Sequence, residues 1–195
     1  MIKSFDFYFD FASPYSYIAH KKIRKIEKEY ELKIKYMPIL LSGLHKMLGI
    51  TPAAFIPSKA KFMIKDCKLS ADKNKIKFKF NTYFPFDSLK LMRGVLIAEK
   101  ENFSKLYIDK IYRSAWEDGL NLNDNLIIEK ILKNLDLNPS LFLAKSSEEK
   151  NKQSLKNKTQ EAYNKGIFGV PSFIVNSKLF WGQDRMDFVL NEAKK

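Results

Sequence analysis

Phe7-Tyr8-Phe9-Asp10-Phe11-Ala12-Ser13-Pro14-Tyr15-Ser16-Tyr17 is the stretch whose reading decides the fold. Its first half closes an alternating, aromatic-rich run from Lys3 to Phe11, which predicts a β-strand. Ser13-Pro14 then announces a helix. Serine is a good N-cap because its side-chain oxygen accepts from an orphan N–H, and proline at the first helical position loses nothing by lacking one. Ile18, Ile23 and Ile26 continue at helical spacing, so the helix runs from Tyr15 to Tyr30.

Outward from this start, Glu31 to Met37 reads as a second strand with Leu32, Ile34 and Tyr36 on one face. From about Leu41 to Lys165 the pattern is mostly helical, broken at Pro52, Pro57, Phe84-Pro85, Asn121 to Asp124 and Asn138-Pro139. Pro171 to Val175 and Lys178 to Trp181 read as a hairpin turning at Asn176-Ser177. Asp184 to Ala193 reads as a closing helix with an acid at its start, where the helix dipole favours one. The order β-α-β, helices, β-β-α is similar to an α/β thioredoxin-like fold interrupted by a large all-helical insertion. The expected division is 1–40 with 166–195 as the thioredoxin-like part, and 41–165 as the insertion, with a cleft between them.

The composition narrows the chemistry. The chain has 195 residues, 45% hydrophobic, which suffices for a sizeable core. No run approaches the ~18 apolar residues of a membrane span, and the start, Met1 to Asp6, does not read as a secretory signal. The expectation is a cytoplasmic protein with no membrane partner. Cys67 is the only cysteine, and His20 and His45 are the only histidines, so no metal site is expected. The net charge of +13 suits nucleic acid or small anions. Yet arginine stands only at 24, 93, 113 and 185, and the 31 lysines are scattered. Sequence-reading sites lean on arginine, so the lysines are read as a solvated surface and no nucleic-acid partner is expected. Cys67 reads as a bystander, although Lys65 and Lys68 beside it would lower a thiol's pKa. His20 reads as structural; His45 is placed where it could line the cleft.

In a thioredoxin-like fold the loop before the first helix carries the redox cysteines. Ser13 holds the nucleophilic place here and Ser16 the resolving one, so the chain cannot itself exchange disulfides. A helix N-terminus still offers unpaired N–H groups and positive potential. Such a site would activate a thiol the protein does not own, with the Ser13 hydroxyl adding a hydrogen bond; as a simpler role, Ser13 is only an N-cap. Val170-Pro171 is consistent with a cis bond facing that helix, where backbone groups receive an extended peptide-like ligand; the alternative is an ordinary edge-strand proline.

Phe7 to Tyr17 resembles the signature of 2-hydroxychromene-2-carboxylate isomerases, relatives of kappa-class glutathione transferases in the DsbA-like branch of the thioredoxin superfamily. Phe168-Gly169-Val170-Pro171-Ser172-Phe173, followed by Phe180-Trp181-Gly182-Gln183-Asp184-Arg185-Met186, is similar to that family's C-terminal signature. Lys59, Phe84-Pro85 and Trp116-Glu117-Asp118-Gly119 match more weakly, and Ile50 stands where the family often has asparagine. The resemblance implies glutathione as cofactor. Ser13, the catalytic residue, would hold its sulfur, Val170 and Pro171 the cysteinyl part, Gln183 and Asp184 the γ-glutamyl end, and Lys59 the glycyl carboxylate. It also implies an aromatic keto or hydroxy acid as substrate and a homodimer. The expected function is therefore glutathione-dependent isomerisation. Alternatives are a kappa-class-like transferase or peroxidase, and a non-catalytic thioredoxin-fold binding protein without glutathione affinity.

Overall fold

The computed structural model describes residues 3–29 and 32–195. Strand β1 spans Lys3–Phe9, helix α1 Pro14–Glu29 and strand β2 Leu32–Pro38. Seven helices follow: α2 Leu41–Leu48, α3 Pro57–Lys73, α4 Leu89–Lys100, α5 Ser104–Trp116, α6 Asn125–Lys133, α7 Pro139–Ser147 and α8 Glu149–Asn164. The chain closes with β3 Ser172–Val175, β4 Lys178–Trp181 and α9 Met186–Ala193. Tyr30 and Glu31, where the first helix was expected to end and the second strand to begin, lie outside the described residues.

The sheet order is β2-β1-β3-β4. β1 runs parallel to β2, with Phe7 opposite Tyr36, and antiparallel to β3, with Phe7 opposite Phe173. Strand side chains alternate between faces. Phe5, Phe7 and Phe9 enter a core shared with Ile18 and Ile23 of α1, Met92 and Val95 of α4, and Tyr112 and Trp116 of α5. Tyr8 points to the other face, into a smaller cluster with Ile39, Leu44 of α2, Ala162 of α8 and Val170. Strand β1 is therefore buried on both sides, with a large core on one face and a smaller one on the other, and each joins the sheet to helices.

Besides one-residue shifts at the start of α1 and the end of β2, three boundaries near the site differ from the sequence expectation. β1 stops at Phe9 instead of Phe11. The Asp10 carbonyl accepts from Ser13 N–H at 3.1 Å and the Tyr112 hydroxyl at 3.3 Å, and the Phe11 carbonyl accepts from Trp116 Nε1 at 2.9 Å. With both acceptors committed to a turn and to α5, no ladder continues. The closing helix begins at Met186 instead of Asp184, because Gln183–Arg185 forms a tighter turn in which Arg185 N–H donates to the Gly182 carbonyl. β3 begins at Ser172, one residue after the expected Pro171. The hairpin turn falls at Asn176-Ser177 as expected, both with positive φ, 48° and 63°.

Candidate active site

Ser13 sits at the N-cap of α1, immediately before Pro14, and is buried. Its Oγ accepts from Ser16 N–H at 3.1 Å and donates to the Val170 carbonyl at 3.3 Å. The Val170–Pro171 peptide bond is cis. Residues 157 positions apart are thus in direct contact, and Ser13, Val170 and Pro171 form one cluster. The loop that presents Ser13 is held from beneath by α5 through Tyr112 and Trp116, and by α4 through Met92, whose sulfur accepts from Phe11 N–H at 3.4 Å.

Gln183 is buried, and Lys22 of α1 fixes it. Lys22 Nζ donates to the Gln183 side-chain oxygen at 2.5 Å and to its carbonyl at 2.9 Å. Burial lowers the Lys22 pKa, while the charges of Asp184 and Asp187 oppose the shift. Asp184 next door is exposed, with Arg185 Nη1 at 3.7 Å. Gly182 makes this arrangement possible. Its φ is 106°, and a Cβ there would lie 2.5 Å from Asp184 Oδ1.

Two cavities flank the Ala12–Tyr15 loop. One, of about 340 Å³, is lined by Tyr15, Ser58, Lys59, Phe62 and Met63. It places Lys59, an exposed residue of α3, on a wall shared with a side chain two positions after Ser13. The other, of about 370 Å³, is mainly apolar and aromatic, with Ala12, Phe55, Phe84, Pro85 and Phe86 on its walls. His45 lines this second cavity, so it does reach the cleft, and burial lowers its pKa. Ile50 is part-exposed, and its N–H donates to the His45 carbonyl at 2.9 Å.

Sequence reasoning missed Asp10. Its buried carboxylate lies on the wall of the aromatic cavity. Oδ1 accepts from Ala12 N–H at 2.9 Å and Oδ2 from Leu41 N–H at 2.8 Å, so one side chain ties the Ser13 loop to the start of α2. Burial pushes its pKa up, against the Ser88 hydroxyl and the two N–H groups that favour the charged form. The only available signal was an acid inside an aromatic run. The weaker motif matches also have places here. Phe84–Pro85 is a cis pair on the cavity wall, Trp116 holds Phe11, and Glu117 accepts from the Tyr17 hydroxyl at 3.0 Å.

Neither remaining candidate takes part. His20 is buried between Asp109, 2.7 Å from Nε2, and the Tyr36 hydroxyl, 3.0 Å from Nδ1. Burial lowers its pKa despite Asp109, consistent with a structural role. Cys67 is buried in α3, and burial pushes its thiol up to about 12. The two lysines beside it do not activate it, and no redox or nucleophilic chemistry follows from it.

Among the described residues no group of histidine, cysteine and acidic side chains is arranged to hold a metal, and no helix is long and apolar enough to cross a membrane. What the site offers is a helix N-terminus with a hydroxyl, a facing cis-proline backbone, a buried carboxamide, a lysine, and an aromatic cavity.

Comparison with known proteins gives relatives of matching design. The chain is 26% identical to a 2-hydroxychromene-2-carboxylate isomerase of Sphingobium xenophagum, covering 97% of each chain. It is 27% identical to glutathione S-transferase kappa 1 of Caenorhabditis elegans, covering 94% of this chain and 88% of that protein. A solved 2-hydroxychromene-2-carboxylate isomerase superposes with a TM-score of 0.88 at 25% identity, over 98% of this chain and 94% of the other. The profile of the DsbA-like thioredoxin domain matches residues 4–194. With nearly every residue inside that match and its thioredoxin-like sheet completed by the inserted helices, the chain belongs to the DsbA-like thioredoxin domain family.

Proposed function

We propose that this protein is a glutathione-dependent isomerase of the 2-hydroxychromene-2-carboxylate type, interconverting that ring-closed acid with an unsaturated hydroxybenzylidene-pyruvate. One observation carries the reading: the Ser13 hydroxyl lies at the α1 N-terminus, 3.3 Å from the carbonyl before a cis-proline, in a fold with no cysteine at that place. The donor set suits a γ-glutamyl-cysteinyl-glycine. Val170 and Pro171 offer strand-like backbone to the cysteinyl unit. Gln183, its oxygen engaged by Lys22, keeps its carboxamide N–H groups for the γ-glutamyl carboxylate, and Asp184 suits the ammonium beside it. Lys59 suits the glycyl carboxylate.

Glutathione held there would supply a thiolate nucleophile for the electrophilic carbon of the unsaturated keto acid. The protein's part is electrostatic and positional. The α1 N-terminus and the Ser13 hydroxyl favour the thiolate over the thiol. No acid stands in the first turn of α1 to oppose them. The aromatic cavity beside Ala12 would hold the substrate ring, with Asp10, Ser42, His45, Asp87 and Ser88 as the polar groups of its wall. The reading carries with it a homodimer in the cytoplasm.

The kappa-class relatives support a second reading, a transferase or peroxidase using the same site; product analysis separates them, since only the isomerase returns its glutathione unchanged with no conjugate formed. The primary test is calorimetry with glutathione on wild type and Ser13→Ala. One hydrogen bond to a charged acceptor is worth about 1.5–3 kcal/mol, so the bound thiol's pKa should rise by about 1–2 units in the variant. Absence of binding at millimolar glutathione would remove both readings together.

A further inference from the structure

We propose that a cavity between α2, α4 and α8 binds an amphipathic organic anion, a carboxylate or phosphate head on an apolar body. It encloses about 390 Å³, within the size range of small-molecule sites. It is built on residues distinct from those assigned above to glutathione and its substrate.

The anchor is Arg93 of α4. Its Nε is buried and has no hydrogen-bond partner among the described residues. A guanidinium N–H withdrawn from water and left unpaired is costly, and none of the described residues compensates it. The wall supplies the matching field. Lys152 and Lys156 of α8 face the same cavity, against a single carboxylate, Glu149, which Lys152 already holds at 3.4 Å. The excess charge is positive, and arginine's planar fork fits an oxyanion with two parallel N–H donors. Leu40, Met47, Leu89 and Leu155 supply an apolar part of the lining, and Gln153, Thr159 and Gln160 add neutral polar groups. Met47 is part-exposed, and its flexible thioether adapts to varied hydrocarbon shapes. A cationic cluster and four large apolar side chains in one cavity favour an amphipathic anion over inorganic phosphate or a neutral lipid.

The two cavities stand back to back. Leu41, Ser42 and His45 of α2 line the aromatic cavity beside Ser13, while Gly43 and Met47 of the same helix line this one. Likewise Asp87 and Ser88 face the first cavity, and Leu89 and Arg93 the second. An occupant here would brace the wall of the candidate active site without entering it.

The test is calorimetry on the full chain with octanoate, octyl phosphate and octanol, joined to amide spectra. Either anion should bind, shifting the amides of Gly43, Met47, Lys152 and Gln160, and the tighter head identifies the source class. Octanol should bind at least about tenfold more weakly, as should octanoate to Arg93→Met, the equivalent of about 1.4 kcal/mol. Lys156→Glu, at an exposed position that does not threaten folding, should weaken both anions at least threefold and carries the test should Arg93→Met fail to fold. Ser13→Ala and saturating glutathione should leave the affinity unchanged. The proposal is overturned by no binding of either anion at millimolar concentration or by octanol binding as tightly. It is equally overturned by affinity unchanged in the folded variants, or by displacement with glutathione.

Discussion

Replacing Ser13 by cysteine puts a reporter thiol where the borrowed one is proposed to sit, and its pKa reads the local field without any ligand. Two contributions lower it. The Ser16 N–H, 3.1 Å from the present Oγ, would donate to the thiolate, worth about 1.5–3 kcal/mol for a charged acceptor. The partly buried N-terminus of α1 adds up to about 2 kcal/mol. Two contributions oppose them: the site is buried, and the Val170 carbonyl presents its negative end at 3.3 Å. Mid-range values of about 2.3 and about 1 kcal/mol, less roughly 1.5 kcal/mol for this opposition, leave about 1.8 kcal/mol in favour of the thiolate. At about 1.4 kcal/mol per unit, a thiol near 8.5 should fall to about 7. Alkylation rate against pH, or thiolate absorbance, measures it. Cys67 adds no background because burial pushes its thiol up to about 12. A Ser13→Cys pKa at or above 8.5 would refute the electrostatic argument for the site.

Further outcomes follow from the surrounding packing. The folded pKa of His20 is lowered by burial, so the unfolded chain binds the extra proton. Stability is complete above about pH 6.5 and declines as pH falls below it; Asp109, whose folded pKa is depressed by His20 and Arg24, declines in the same direction further into acid. Thermal unfolding midpoints should fall from neutral into mild acid, and His20→Gln should flatten the first part of that slope. Gly94 of α4 packs against Tyr107 and Phe142. A Cβ there would collide with the Tyr107 hydroxyl and lie 2.8 Å from its Cζ and 2.9 Å from Phe142 Cε1. Overpacking of about 1–3 kcal/mol outweighs the ~1 kcal/mol gain in helix propensity. Gly94→Ala should then lower the melting midpoint by a few degrees, roughly 2–4 °C per net kcal/mol. Adding Tyr107→Phe should cost less than the sum of the two changes, and a Gly94→Ala protein as stable as wild type would contradict the packing.

What the sequence disclosed was what neighbouring residues decide. Ser13-Pro14 marks a helix start by its own chemistry, and Asn176-Ser177 tolerates the left-handed backbone of a tight turn. Both were readable without knowing the rest of the chain. The break at Glu101–Phe103 was not, because Asn102 takes a positive φ of 62° with no glycine or proline to announce it. The supports of the site were hidden for a different reason. Trp116 holds Phe11 across 105 positions, Tyr112 holds Asp10 across 102, and Lys22 holds Gln183 across 161. Such pairs exist only once the helices have packed onto the sheet. Asp10 was equally opaque: one of its carboxylate oxygens serves its own loop and the other serves α2. The motif residues marked out the candidate site, whereas the side chains that hold those residues were fixed by packing alone.

The Ser13 hydroxyl has one proton, and that constrains how the site can work. In the folded chain the proton goes to the Val170 carbonyl, while the Oγ lone pair takes the Ser16 N–H. A thiolate arriving at the helix end needs the same proton. The hydroxyl must then turn from Val170 to sulfur, leaving the Val170 carbonyl without a donor at the moment the cysteinyl N–H of an extended ligand becomes available to replace it. On the proposed reading, glutathione binding would exchange one hydrogen bond for two, one to sulfur and one to backbone. The two can be separated. S-methylglutathione retains the backbone donor and has no thiol to ionise. Ser13→Ala should raise the pKa of bound glutathione as above, yet bind S-methylglutathione within about threefold of wild type, since the lost serine bond is one the thioether barely uses. Equal losses for both ligands would place the role of Ser13 in capping α1 and shaping the loop, and would detach thiol activation from the hydroxyl altogether.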